Sequence, residues 1–210
     1  MGLNGKERLN MKQMVLIIGI TGASGAIYGI RLLEVLAANK NVATHLILSE
    51  SAEMTIHYET DYRVEDVRAL ASFVHNIKDV GSRLSSGSFK TDGMIVAPCT
   101  IKTMSALANS YTDNLIVRAG DVTLKECRRL ILLVRETPLH IGHLRSMEKL
   151  CEMGAIIMPP MPAFYYRPQS ISEIIDHTIG KTLDLLGIEH NLFRRWSGLT
   201  DAEASFGRGQ

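Results

Sequence analysis

The sequence predicts an α/β fold, in which a mainly parallel sheet lies between two layers of helices. Short, continuous apolar segments recur along the chain, and each is followed by a turn rich in glycine or hydroxyl residues and then by helically spaced apolar residues. Continuous apolar strands are typical of sheets that are buried on both faces. Alternation of such strands with helices is typical of parallel sheets. We therefore expect a Rossmann-like three-layer sandwich formed by a single domain.

The composition fits one globular domain. The chain has 210 residues, of which 46% are hydrophobic and 21% charged. We expect this domain to span residues 13–198, between flexible polar tails at 1–12 and 199–210, and the first ten residues lack the apolar core of a signal peptide. The formal net charge is +1 without a basic run, so neither nucleic acid nor a membrane is an expected partner.

The three cysteines have no CxxC spacing. This argues against a disulfide framework or a metal site and favours the reducing cytoplasm. Cys99, Cys127 and Cys151 are expected to be small buried residues.

The segment from Met14 to Tyr28 predicts a strand, a glycine turn and the start of a helix. Its glycine spacing, GxxGxxG, matches neither the GxGxxG dinucleotide motif nor the GxxxxGK[ST] phosphate loop. Glycines permit close backbone approach, and a helix N-terminus offers free N–H groups and partial positive charge. The turn predicts either a phosphate-bearing ligand or a tight structural turn. A short-chain dehydrogenase is disfavoured, because position 26 is Ala and no YxxxK sequence follows any tyrosine.

Two further strands are predicted to end at hydroxyl residues. A strand at 42–48 leads to Ser49, which is expected to be either a helix N-cap or a flavin contact. A strand at 92–98 leads to Thr100 and Thr103, which fit the N-cap and third position of a helix. Hydroxyls and free amides there predict either a phosphate site or a simple capped helix.

Charged residues follow the next predicted elements. A helix at 115–124 and a strand at 129–134 lead to Arg135 and Glu136, which stand where open α/β sheets hold ligands. An unpaired charge there is costly, so chemistry is favoured over packing. The pair His140 and His143 predicts a surface turn rather than a metal site, because nothing completes a ligand set.

The last elements are a strand at 155–158, a proline-rich loop at 159–168 with three aromatic residues, and a helix that contains Lys181. Prolines fix φ and stiffen the loop. Taken alone, Lys181 predicts a solvated helix charge. The region 60–90 has mixed polarity, and its segment 82–88 predicts a flexible loop.

Taken together, six blocks of sequence resemble the UbiX family of flavin prenyltransferases. They are GITGASGAIYG, LSESA, APCTIKT, RAGDVTLKE, LLVRETP and PAFYYRP, which occur in the order and spacing of that family between Met14 and Trp196. The resemblance implies a Rossmann-like fold assembled as a dodecamer, with FMN bound between subunits. It also implies transfer of a dimethylallyl group from dimethylallyl phosphate to N5 and C6 of reduced FMN, without a metal. The product, prenylated FMN, is used by a UbiD-type decarboxylase.

The resemblance also implies the roles of individual residues. FMN contacts are Gly22, Ala23, Ser24, Ser49, Thr100, Ile101, Lys102, Thr103 and Arg135. Contacts to the prenyl phosphate are Arg118, Lys125, Arg135, Tyr165 and Lys181, and the catalytic residues are Glu136, Ser24, Lys125 and Tyr165. Some members have Arg where this chain has Lys181, which keeps the charge but loses bidentate geometry. Glu136 is the candidate proton relay.

Two alternative functions remain open on the sequence. An FMN-dependent decarboxylase of the cysteine-decarboxylase type shares the fold, but those enzymes resemble PASANT where this chain reads PCTIKT. A flavin carrier without catalysis would have no need for Arg118, Lys125, Glu136 and Lys181 together.

Overall fold

The computed structural model describes residues 13–196 and residue 198, which form six parallel strands and the helices between them. The elements are β1 (Met14–Ile20), α1 (Ala26–Ala37), β2 (Val42–Leu48), α2 (Glu50–Glu59), α3 (Val64–Ala69), β3 (Phe73–His75), β4 (Gly93–Cys99), α4 (Ile101–Ala108), α5 (Leu115–Lys125), β5 (Arg129–Val134), α6 (Ile141–Glu152), β6 (Ile156–Ile157) and α7 (Ile171–Leu186). The strand order is β3-β2-β1-β4-β5-β6. The predicted α/β fold with a parallel sheet is confirmed.

The chain divides into two compact units, Met1–Met161 and Pro162–Gln210. The first contains the whole sheet, and the second contains α7. The predicted tails at 1–12 and 199–210 lie outside the described residues, and the predicted domain boundaries stay predictions. Within the described ranges, no helix combines the length and the apolar character that crossing a bilayer requires.

Strand β1 lies inside the sheet and pairs with two neighbours. It pairs in parallel with β2 from Met14↔Val42 to Ile20↔Leu48, and with β4 from Leu16↔Gly93 to Gly19↔Val96. Its continuous apolar sequence is explained by cover on both faces, since Ile17 and Ile18, whose side chains point to opposite faces, are both buried. The segments that follow β1, β2, β4 and β5 therefore meet at the carboxyl edge of the sheet.

The structure corrects the predicted number of strands, which was five. The short strand β3 was missed because three residues carry no usable alternation, and Phe73 and Val74 are 48% and 47% exposed at the edge of the sheet. The segment predicted as a loop at 82–88 contains a 3₁₀ turn, Arg83–Ser85, with Leu84 buried.

The cysteine prediction was wrong for two of the three residues. Cys99 is buried, whereas Cys127 and Cys151 are exposed. Cys127 lies in the turn between α5 and β5 with φ 53°, and Cys151 lies in α6, where Leu150 is the buried residue. Neither position faces the core.

Two histidines bond to each other across β2 and β3. His45 Nδ1 lies 2.9 Å from His75 Nε2, and His75 Nδ1 lies 3.2 Å from Ser82 Oγ. The side chain of His45 is 2% exposed and stacks on Phe73. Burial, helped by His75 and Arg83, lowers the pKa of His45 to about 4. His45 is therefore neutral in the folded protein at neutral pH.

This pair predicts a loss of stability in mild acid. The unfolded chain binds a proton at His45 with the ordinary pKa of 6.5, whereas the folded protein resists it until the pH nears 4. Between about pH 7.5 and about pH 5, the free energy of unfolding should fall by roughly 1–2 kcal/mol. Urea titrations at both pH values measure the change.

Two variants control this measurement. His45→Leu should reduce the pH dependence without abolishing it, because burial also lowers the pKa of His75, whereas His57→Gln, at an exposed position on α2, should leave it as in the wild type. Equal pH dependence in wild type and His45→Leu would contradict the assignment.

Candidate functional site

A cavity of about 250 Å³ opens at the carboxyl edge of the sheet in the first unit. Residues from several elements line it, among them Thr21, Gly22, Ser49, Thr100, Lys102, Thr103 and Asn114. Five of these, Gly22, Ser49, Thr100, Lys102 and Thr103, belong to the predicted flavin-binding set. The strand ends bring them together because the four central strands run in the same direction.

Three helices begin at the wall of this cavity. Ser49 Oγ accepts the Ala52 N–H at 3.0 Å at the start of α2. Thr100 Oγ1 accepts the Thr103 N–H at 3.2 Å in α4, and Asn114 Oδ1 accepts the Val117 N–H at 3.1 Å in α5. The predicted N-caps Ser49 and Thr100 are confirmed. Each helix N-terminus carries partial positive charge, so the cavity favours an anion.

The first turn of α4 offers the best-defined donors. The N–H groups of Ile101 and Lys102 have no carbonyl partner inside the helix, as in any first turn. The Lys102 ammonium adds a cation whose side chain is 80% exposed, 3.9 Å from Asp113 Oδ2. Amides, hydroxyls and an ammonium group are the donors that hold phosphate groups in proteins.

A buried hydroxyl that sequence reasoning missed holds the loops of the site together. Thr21 Oγ1 donates to the Pro98 carbonyl at 2.7 Å and accepts the Thr100 N–H at 2.9 Å. The side chain is 2% exposed. Thr21 therefore ties the end of β1 to the end of β4 and sets where α4 begins. No local sequence signal identifies this role, since its partners are distant in the chain.

The glycine turn after β1, predicted as either a phosphate site or a structural turn, is held in part by a side chain of the same chain. Gly25 precedes α1 with φ 96°, and its N–H donates to Glu59 Oε2 at 2.7 Å. A carboxylate of the same chain thus occupies the N-terminus of α1. Ala23 is buried and Ser24 is exposed in the same turn. The helix N-termini that line the cavity are those of α2, α4 and α5, and Gly22 of the glycine turn lies beside them.

Arg135 and Glu136 follow β5 at the same edge of the sheet. The Arg135 N–H donates to the Cys99 carbonyl at 3.1 Å, immediately before Thr100. Both residues are exposed, and Glu136 Oε1 accepts the Thr137 N–H at 2.9 Å. The backbone therefore brings Arg135 and Glu136 next to the start of α4. This is the edge of the sheet at which their sequence position predicts them.

Neither Arg118 nor Lys125 is among the described residues that line the cavity. Arg118 Nη1 is 3.1 Å from Asp121 Oδ2, and Lys125 Nζ is 2.6 Å from Glu126 Oε1. Asn114 at the start of α5 lines the cavity, whereas Lys125 ends this helix about 15 Å further along its axis. Within one chain, Lys125 is therefore too far from the cavity to contact a phosphate group held there.

Tyr165 and Lys181 belong to the second unit. Tyr165 is half exposed, and its hydroxyl lies 2.9 Å from His177 Nε2. Lys181 is exposed on α7, one turn after His177, which agrees with a solvated helix charge. His177 was not a predicted site residue. Its place one turn before Lys181 on the same helix could have suggested it.

Gly22 is required by the close approach of the turn after β1 to the first turn of α2. A Cβ atom on Gly22 would overlap Ser51 Cβ and lie 3.0 Å from the Ser51 carbonyl carbon. Gly22→Ala should therefore lower the free energy of unfolding by about 1–3 kcal/mol, because backbone must move to make room. Chemical denaturation measures this.

Gly81→Ala is the matched control for this change. A Cβ atom there would meet only Asp79 Oδ1, at 3.4 Å, so the free energy should stay within about 0.5 kcal/mol of the wild type. If Gly22→Ala and Gly81→Ala unfold alike, the close approach does not constrain this turn.

Comparison with known proteins agrees with this geometry. The flavoprotein family matches residues 4–190. Flavin prenyltransferase UbiX of Thauera aromatica is 52% identical over 195 residues, which cover 93% of this chain and 100% of the relative. A crystal structure of AnUbiX in complex with FMN and dimethylallyl pyrophosphate is 49% identical, with a TM-score of 0.87, and the match covers 90% of this chain and 100% of that one.

A second solved structure, a dodecameric FMN-dependent UbiX-like decarboxylase from Escherichia coli O157:H7, is also 49% identical with a TM-score of 0.87, over 88% of this chain and 100% of the other. Identity near one half over almost the full length exceeds what a shared fold alone produces. The chain therefore belongs to the flavoprotein family and, within it, to the UbiX flavin prenyltransferases.

Proposed function

We propose that this chain transfers a dimethylallyl group from dimethylallyl phosphate to N5 and C6 of reduced FMN. The product, prenylated FMN, would pass to a UbiD-type decarboxylase. The observation that carries the proposal is the cavity at which three helix N-termini meet, in a chain that is 52% identical to a flavin prenyltransferase. A similar protein has been crystallised with FMN and dimethylallyl pyrophosphate.

The residues at the cavity fit the phosphate of FMN. The free amides of Ile101 and Lys102, the hydroxyls of Thr100 and Thr103, and the Lys102 ammonium would hold that group. The remaining predicted contacts, Gly22, Ala23, Ser24, Ser49 and Arg135, follow the neighbouring strands. When bound and reduced, FMN supplies an electron-rich ring as the nucleophile.

Cationic residues would stabilise the leaving phosphate. As the allylic C–O bond breaks, negative charge grows on the phosphate oxygens, and donors aimed at those oxygens lower the barrier. We assign this role to Arg118, Lys125, Arg135, Tyr165 and Lys181. Glu136, exposed beside Arg135 at the sheet edge, would hold and release a proton at its carboxylate. Ser24, exposed in the turn after β1, completes the proposed catalytic set.

The position of Lys125 indicates that one chain does not form the whole site. Arg118 and Lys125 stand seven residues apart, so they share one face of α5. We infer that this face contributes to the site of a neighbouring copy in a homo-oligomer. A 49% identical protein is dodecameric. The same assembly is the expectation for this chain.

The alternative functions receive less support. Helix α1 contains no histidine, unlike the cysteine-type decarboxylases, which have an active-site histidine in that region. A flavin carrier without catalysis would not need Arg118, Lys125 and Lys181, the cations that lie outside the predicted flavin-binding set. A cytoplasmic location rests on the three cysteines, all of them free.

The decisive experiment measures the mass of the flavin. Purified protein, reduced FMN and dimethylallyl phosphate are incubated without oxygen, and the released flavin should gain one dimethylallyl group. A parallel reaction with dimethylallyl pyrophosphate compares the two leaving groups, and a reaction with oxidised FMN is the control. A bound flavin of unchanged mass in both substrate reactions would refute the transferase.

Glu136→Gln and Thr100→Val should separate chemistry from binding. Removing the proton relay should lower kcat by at least about 100-fold with the FMN dissociation constant within about twofold of wild type. Removing the α4 cap hydroxyl should weaken FMN binding by about tenfold. Flavin fluorescence titration and the anaerobic assay measure the two quantities. Loss of FMN binding in Glu136→Gln would remove its assigned role.

A further inference from the structure

A buried histidine in the second unit bonds to a proposed catalytic residue. His177 is 8% exposed, and its Nε2 atom lies 2.9 Å from the hydroxyl of Tyr165, which is 50% exposed. The histidine belongs to helix α7, whereas the tyrosine belongs to the proline-rich loop that precedes it. The bond therefore fixes an exposed loop residue to a rigid element.

Aromatic rings hold the imidazole in place. Tyr166 stacks on His177 with ring centroids 4.9 Å apart and an angle of 10° between the planes. Phe193 contacts it with centroids 4.6 Å apart. A ring in contact with two others has little freedom to turn, so its Nε2 atom presents a fixed partner to Tyr165.

The effect of this hydrogen bond depends on which group donates it, because the tyrosine hydroxyl has a single proton. If Tyr165 donates to His177, the proton is unavailable to a phosphate. If His177 donates to Tyr165, the tyrosine oxygen accepts that bond and its own proton points elsewhere. The second arrangement also strengthens Tyr165 as a donor, because hydrogen bonds in a chain polarise one another.

We propose that His177 is a positioning residue for prenyl transfer: its Nε2–H donates to the Tyr165 oxygen and directs the tyrosine proton to the phosphate of dimethylallyl phosphate. This inference rests on the proposed function, since it takes Tyr165 as a phosphate contact. No bond to carbon is made or broken by His177.

The surroundings of His177 agree with a neutral donor. Burial, and then the nearby Lys181 ammonium, lower the pKa of His177. A neutral imidazole has one N–H, and its placement on Nε2 satisfies the Tyr165 oxygen. The two neighbours on α7 thus have different roles, with Lys181 as the cation and His177 as the neutral support.

Four variants test this role. His177→Phe keeps a ring but removes the donor, and His177→Gln restores an N–H donor near the Nε2 position. Tyr165→Phe removes the other end of the bond. Tyr166→Phe is the matched control, because it keeps the ring stacked on His177 and loses only a hydroxyl that bonds the Glu173 carbonyl at 3.3 Å.

Each variant is assayed for transfer and for binding of dimethylallyl phosphate to protein loaded with oxidised FMN, in which no transfer occurs. Thermal unfolding confirms that each is folded. His177→Phe should lower kcat/KM for dimethylallyl phosphate by about tenfold, through a lower kcat and through a loss of affinity that Tyr165→Phe shares, and His177→Gln should recover most of it. Tyr166→Phe should stay within about twofold.

The double variant His177→Phe with Tyr165→Phe gives the clearest result. If His177 acts through Tyr165, the double variant should be no slower than Tyr165→Phe alone. Multiplied losses in the folded double variant would overturn the inference, as would a His177→Gln protein no faster than His177→Phe. Wild-type protein that binds dimethylallyl phosphate without transferring the group would refute the proposed function. Equal loss of affinity in His177→Phe and Tyr165→Phe would then still support the positioning role.

Discussion

The parallel direction of the central strands determines where this chain can hold an anion. Strands β1, β2, β4 and β5 all end at one edge, so the helices that follow begin there. Every helix leaves N–H groups in its first turn without an internal partner. Side-chain caps accept hydrogen bonds from some of these N–H groups, and the remaining N–H donors are concentrated at one cavity. The site is thus a consequence of the fold before any catalytic side chain is considered.

A few specific hydrogen bonds determine which of these N–H donors are already paired. Glu59 accepts the Gly25 N–H at the N-terminus of α1, so this N–H is already paired, while Gly22 of the same turn lines the cavity. Thr21 joins the ends of β1 and β4 with a hydroxyl that both donates and accepts. A buried hydroxyl with two partners costs little, whereas one left without them would cost about 1–3 kcal/mol.

Local signals made some elements predictable from sequence. The range of β5 and the caps Ser49 and Thr100 follow from an apolar run and from a hydroxyl directly before a helix. Asn114 gives the same kind of signal directly before α5, although its residue type is less specific for a cap than the charges of that helix are for a ligand. In contrast, the bond between Gly25 and Glu59 joins residues 34 positions apart. No spacing rule reveals such a pair, since the fold alone makes it adjacent.

Edge elements and paired charges were less predictable for physical reasons. A three-residue strand such as β3 is formed by pairing with β2 rather than by its own pattern. The sequence also does not show whether a cation is already neutralised. Arg118 and Lys125 resemble free phosphate ligands in the sequence, yet both pair with acidic neighbours on their own helix or directly after it.

These ion pairs do not prevent the two cations from binding phosphate. The Lys125 side chain is 48% exposed and that of Glu126 is 34% exposed, so water screens their attraction. Such exposed pairs contribute little to stability, and a doubly charged phosphate offers a cation stronger bonds than one carboxylate does. If a phosphate replaced the Glu126 carboxylate as the partner of Lys125, the loss of the ion pair would therefore cost little. A cation held loosely on the surface of one chain can serve a site that is completed only when another copy lies against it.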